Sequence, residues 1–79
     1  MSVLIKISST LRDYVPGYDP VNGLAVPHRP GRTVAEVLGD LGLPVEKVKV
    51  LMVNGLSSSP GRILEDGDRV AVFPPVGGG

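Results

Sequence analysis

The 79-residue sequence predicts an α+β fold, a mixed sheet of four to five strands with one main helix across one face. Three observations predict it. Runs rich in β-branched residues stand near both ends of the chain, at residues 3–7 and 69–73. One apolar stripe with helical spacing lies between them. The order strand, strand, helix, strand, short apolar piece, strand then leaves a single helix to cover one sheet face.

Val3, Ile5 and Ile7 alternate with Leu4, Lys6 and Ser8, so three aliphatic side chains share one face of the first strand. From residue 9 to residue 31 the prolines and glycines are dense enough to allow only short regular pieces, and a brief strand is expected over residues 24–28. Thr33 followed by Glu36 is a capping-box pattern that starts a helix. Val34, Val37, Leu38 and Leu41 form its apolar stripe, and Gly42 with Pro44 supplies the stop.

The aliphatic run 48–53 reads as a buried strand entering a turn at Asn54-Gly55, with Lys47 and Lys49 left in water. Residues 57–61 read as a polar loop, Ile63-Leu64 as a short apolar anchor, and residues 65–68 as a solvated acidic turn leading into the last strand. Residues 1–73 are read as one domain with no internal repeat, and residues 74–79 are expected to form an extended, flexible tail. Both terminal strands are rich enough in β-branched residues to occupy the middle of the sheet.

Composition narrows the function classes. Eight Lys and Arg balance eight Asp and Glu with no long run of either sign, which argues against a nucleic-acid partner. Cysteine is absent, so disulfides, thiolate metal sites and a cysteine nucleophile are excluded. The first residues read as a strand, with neither a signal-peptide pattern nor a membrane-length apolar run, so a cytoplasmic location without membrane contact is expected.

The tail carries the chemistry. Pro74 and Pro75 cannot donate to a sheet ladder, so pairing is expected to stop after Phe73 and the backbone to continue stiff and extended. Residues 74–79 at full extension reach about 20 Å, far enough to carry the Gly79 carboxylate into another protein. Gly77, Gly78 and Gly79 have no side chain to obstruct a narrow channel or a close approach to the terminal carbonyl. A carboxylate is a poor electrophile, and adenylation by ATP is what gives it a leaving group. The acyl-adenylate can then be attacked by a persulfide or other sulfur donor on a partner, leaving a thiocarboxylate.

The run Asp66-Gly67-Asp68-Arg69-Val70-Ala71-Val72-Phe73-Pro74-Pro75-Val76-Gly77-Gly78-Gly79 resembles the end of the molybdopterin synthase small subunit family, which follows a D-G-D-x-V-x-x-F-P-P-V-x-G-G pattern. Looser similarity extends to residues 9–14 and to the helix start at residues 33–38. The resemblance implies a β-grasp, ubiquitin-like fold. It also implies activation by an E1-like adenylyltransferase that uses ATP, a sulfur donor protein, and delivery of sulfur to a precursor pterin in the molybdopterin synthase large subunit.

On that reading Gly79 is the adenylated and thiocarboxylated residue, and Phe73, Pro74, Pro75, Val76, Gly77 and Gly78 meet the partner. The protein is then a co-substrate without turnover of its own, binding no cofactor or metal itself. A thiamine-pathway carrier shares the fold and the diglycine end, but that family usually lacks the double proline. A ubiquitin-like modifier joined to target lysines through Gly79 would use the same tail, and an interaction module with a merely loose tail is the third reading. Residues 14–31, where the sequence departs from the family, are expected to contribute to partner surfaces.

Other residues are read as structural. His28, Arg29 and Arg32 form a small basic patch, able to meet a phosphate or an acidic partner but expected to be a solvated loop. A single histidine without cysteine or carboxylate companions makes no case for metal, and Ser57, Ser58 and Ser59 make none for hydrolysis. Glu65, Asp66 and Asp68 are assigned no catalysis. For Phe73 two roles stay open, a cap on the core or an anchor in a partner's pocket.

Overall fold

Strand β1, Ser2–Ile7, follows the alternation of its sequence: Val3, Ile5 and Ile7 are buried, while Leu4 and Lys6 turn to the other face. The computed structural model describes residues 1–75, and the predicted end of the tail, Val76, Gly77, Gly78 and Gly79, lies outside the described residues. Strand β2, Leu24–Pro27, runs antiparallel to β1, with Val26 opposite Val3. The stretch before it holds only a 3-10 turn, Ser9–Tyr14, which sends Leu11 into the core.

Helix α1, Val34–Asp40, begins with the predicted capping box. The Glu36 N–H donates to the Thr33 hydroxyl at 3.2 Å, and the Thr33 N–H donates to the Glu36 carboxylate at 2.8 Å. It ends in a Schellman motif. The Leu43 N–H donates to the Leu38 carbonyl and the Gly42 N–H to the Gly39 carbonyl, both at 3.0 Å, with Gly42 at φ +85°. That left-handed step is what glycine permits, and it folds the fully buried Leu43 under the helix. Val34 and Leu38 are buried, and Val37 and Leu41 pack at the edge of the same core.

Strand β3, Val50–Val53, turns through Asn54 and Gly55 into strand β4, Leu56–Ser57. Both turn residues have positive φ, 54° and 80°, as a two-residue hairpin of type I′ requires. Strand β5, Arg69–Phe73, lies parallel to β1 and antiparallel to β3, so the sheet order is β2-β1-β5-β3-β4. This is the β-grasp arrangement, with the two terminal strands side by side in the middle of the sheet.

Two expectations change. Residues 48–53 do not form one buried strand: Val45–Lys47 make a 3-10 turn, the strand starts at Val50, and only Leu51 and Val53 are buried. The helix covers one face of the sheet, so the alternate residues Val50 and Met52 fall on the bare face despite being apolar. The polar loop also begins later than its composition suggested, since Ser57 pairs with Met52 in β4.

Candidate functional site

Strand β5 sends Val70 and Val72 into the core and leaves Arg69, Ala71 and Phe73 on the bare face. Phe73 therefore does not cap the core. Its side chain stands 36% exposed, opposite Val50, which is 41% exposed. Half-buried Met52 and Ala71, opposite each other, continue this apolar strip along β3 and β5, while on the β1 side Ala71 meets Lys6 and Leu4 meets Arg69.

The Phe73 carbonyl accepts the Lys49 N–H at 2.8 Å, the last ladder bond of the strand. Pro74 and Pro75 follow outside any strand, as their missing donors dictate. The structure thus brings Phe73, Pro74 and Pro75 together at the point where the chain leaves the sheet. Val76, Gly77, Gly78 and Gly79 continue from there, beyond the described residues.

The other end of β5 holds a group that the sequence reading placed in solvent. Asp68 is 7% exposed. One carboxylate oxygen accepts the Glu65 N–H at 2.8 Å and the other accepts the Asn54 side-chain amide at 2.9 Å, with the Arg62 guanidinium 3.7 Å away. The Glu65 N–H, more than any other group, holds this carboxyl below its ordinary pKa, helped by Asn54, Arg62 and His28 against the opposing effect of burial. Asn54 in turn accepts the Arg69 N–H at 3.0 Å, which ties the hairpin turn to the start of β5.

Gly67 sits at φ +86° and donates its N–H to the Ser2 carbonyl. The Asp-Gly-Asp run is therefore half turn and half clamp: Asp66 is exposed, Gly67 supplies the left-handed step, and Asp68 locks β5 to its neighbours. A legible signal was there, an acidic residue immediately before a strand with Asn in a facing turn. Three carboxylates in four residues obscured it.

The basic patch also differs from a solvated loop. His28 is half-buried with Nε2 3.1 Å from the Leu64 carbonyl oxygen, and Arg32 is half-buried and paired with Asp40. Only Arg29 stands fully in solvent. These residues rim a pocket of about 200 Å³ between β2 and α1, whose walls include Val26, Val37, Leu41 and Leu64. Among the described residues no helix is long and apolar enough to cross a membrane.

Comparison with known proteins agrees with this architecture. The crystal structure of SAMP1 from Haloferax volcanii superposes with a TM-score of 0.70 at 21% identity, covering 100% of both chains. No curated protein matches the sequence. Residues 1–77 match the family described as Mut7-C ubiquitin, a span that takes in every strand, the helix and all but the last two glycines. The chain belongs to the Mut7-C ubiquitin family.

Proposed function

We propose that this ubiquitin-like protein is a sulfur carrier for molybdopterin synthesis, acting as a co-substrate through the carboxylate of Gly79. The observation that carries the reading is the Asp66–Gly79 run, in which a clamped central strand ends in Phe73-Pro74-Pro75 and then glycine. Each part of the run has a separate duty. Asp68 fixes the strand, Phe73 stands free beside the exit, the prolines end the pairing, and the glycines keep the terminal carbonyl open to approach.

In the first step a carboxylate oxygen of Gly79 attacks the α-phosphorus of ATP on an E1-like adenylyltransferase, and pyrophosphate leaves. The terminal sulfur of a donor protein's persulfide then attacks the carbonyl carbon and displaces AMP, giving an acyl disulfide. A second thiol attacks the donor's sulfur, breaking the S–S bond and releasing the thiocarboxylate as a protein disulfide forms. The large subunit of the synthase would accept the tail and pass its sulfur to the pterin. The bare strip around Phe73, Val50 and Met52 is the surface on which these partners would rest.

The test is ATP–pyrophosphate exchange catalysed by an E1-like enzyme. Exchange that depends on this protein supports the reading, whereas none with several such enzymes would reduce the tail to a loose end. A second reading, conjugation of Gly79 to target lysines, is favoured by the family being described as ubiquitin. Isopeptide-linked adducts from cells would select it.

A further inference from the structure

The pocket between β2 and α1 stands apart from Phe73, where the chain leaves the sheet. Val3, on its wall, precedes the Leu4–Arg69 pair at the beginning of the parallel ladder, and Phe73 follows the Ile7–Val72 pair at its finish. The two features therefore occupy opposite ends of the sheet, and a partner at one leaves the other accessible.

Three properties define what fits. The first is size and polarity: about 200 Å³ walled by Val26, Val37, Leu41 and Leu64 accommodates one bulky apolar group, since a cavity of ~150 Å³ already holds benzene. The second is the free strand edge. The His28 N–H donates to the Met1 carbonyl, so Met1 and His28 form a hydrogen-bonded pair, and the antiparallel alternation puts Val3–Val26 and Ile5–Leu24 in the same class. Ala25 then turns its N–H and C=O outward, and among the described residues no strand pairs with that side of β2. The third is charge: Arg29 is exposed and in no ion pair among the described residues, whereas the half-buried Arg32 beside it is paired with Asp40 and has its Nε 3.9 Å from the Glu36 carboxylate.

We propose that this edge receives an extended peptide segment of a partner protein, added to β2 as a further strand. A bulky aliphatic side chain of the segment fills the pocket, and an acidic residue beside it faces Arg29. Main-chain pairing gives such a contact its affinity, while the pocket and the charges give it its selectivity. With β2 only four residues long, the segment is short. The proposal does not depend on the chemistry assigned to Gly79.

The probe is a blocked peptide with three alternating isoleucines flanked by aspartates, titrated into the full chain and followed by amide and methyl NMR. Saturable movement of the Ala25 amide together with Val26, Val37 and Leu41 is expected, and several-fold weaker binding when lysines replace the aspartates. Ala25→Pro removes the outward donor without touching the β1 ladder and should abolish binding. N-methylation of the peptide's central residue blocks the same pairing with the protein unaltered, and should do likewise. Full binding by the methylated peptide, shifts centred on Phe73 and Val50, or no saturable shift would each overturn the proposal.

Discussion

The two ends of strand β5 are built on opposite principles. Its start is locked: Asp68 is buried and bonded to Glu65 and Asn54, and Asn54 reaches back to the Arg69 N–H. Its finish is presented: Phe73 faces solvent beside Val50, held by the Lys49 N–H, and two prolines bar further pairing. One five-residue strand thus has a locked end and an exposed one. Mutations at its two ends should therefore damage different properties.

The largest effect should come from beyond the strand. Deleting Gly79, or adding a residue after it, is expected to reduce ATP–pyrophosphate exchange to background with the thermal unfolding curve unchanged. An extended protein that still supported exchange would remove the carboxylate from the mechanism.

Next is the locked end. Asp68→Ala leaves the Glu65 N–H and the Asn54 amide without their acceptor, and should destabilise the fold by about 2–3 kcal/mol, or roughly 10–20 °C in Tm. Exchange per folded molecule should not change. The pH dependence follows the same carboxylates. Asp68, through the Glu65 N–H, Asp19, through the Asn22 side chain, and Glu36, through the Thr33 N–H, all have lowered pKa values. A lowered folded pKa stabilises fully above the unfolded value and is lost as pH falls through the folded one. Urea unfolding should therefore show stability declining below about pH 4, less steeply in Asp68→Ala.

Phe73→Ala should act at the presented end. We expect a loss of about 2 kcal/mol in affinity for the activating enzyme, near thirtyfold by calorimetry, and less than ~1 kcal/mol in stability. Unchanged affinity would show that the exposed aromatic is not an anchor. The smallest effect tests a part remote from both ends. Thr33→Ala removes the helix cap and should lower stability by about 1 kcal/mol in chemical denaturation, with affinity and exchange untouched.

The sequence was most legible where one local rule decided the outcome. Thr33, Glu36 and Gly42 fixed the helix ends because caps depend on neighbours in the chain. Val3, Ile5 and Ile7 announced their buried face because one side of the sheet is covered. Legibility failed where a partner distant in sequence decided. Val50 and Met52 are as apolar as Leu51 and Val53, yet their face is bare, and nothing in their spacing tells the two sides apart. Asp68 resembles the solvated Asp66 until Asn54, fourteen positions away, is brought beside it.

The candidate site divides along the same line. The end of pairing after Phe73 was readable because the missing donors of Pro74 and Pro75 act locally. The pocket over β2 was not, since Val26, Arg32 and Leu64 meet only in the folded chain.

As proposed, the protein leaves its activating enzyme carrying sulfur on Gly79. Intact-mass measurement after incubation with ATP, the E1-like enzyme and a persulfide donor tests it directly. One species heavier by the difference between a sulfur and an oxygen atom is expected, with the change confined to the C-terminal peptide and reversed by hydrolysis. An unmodified C-terminus alongside a persistent acyl-adenylate, or tail-to-lysine adducts in place of the thiocarboxylate, would contradict it.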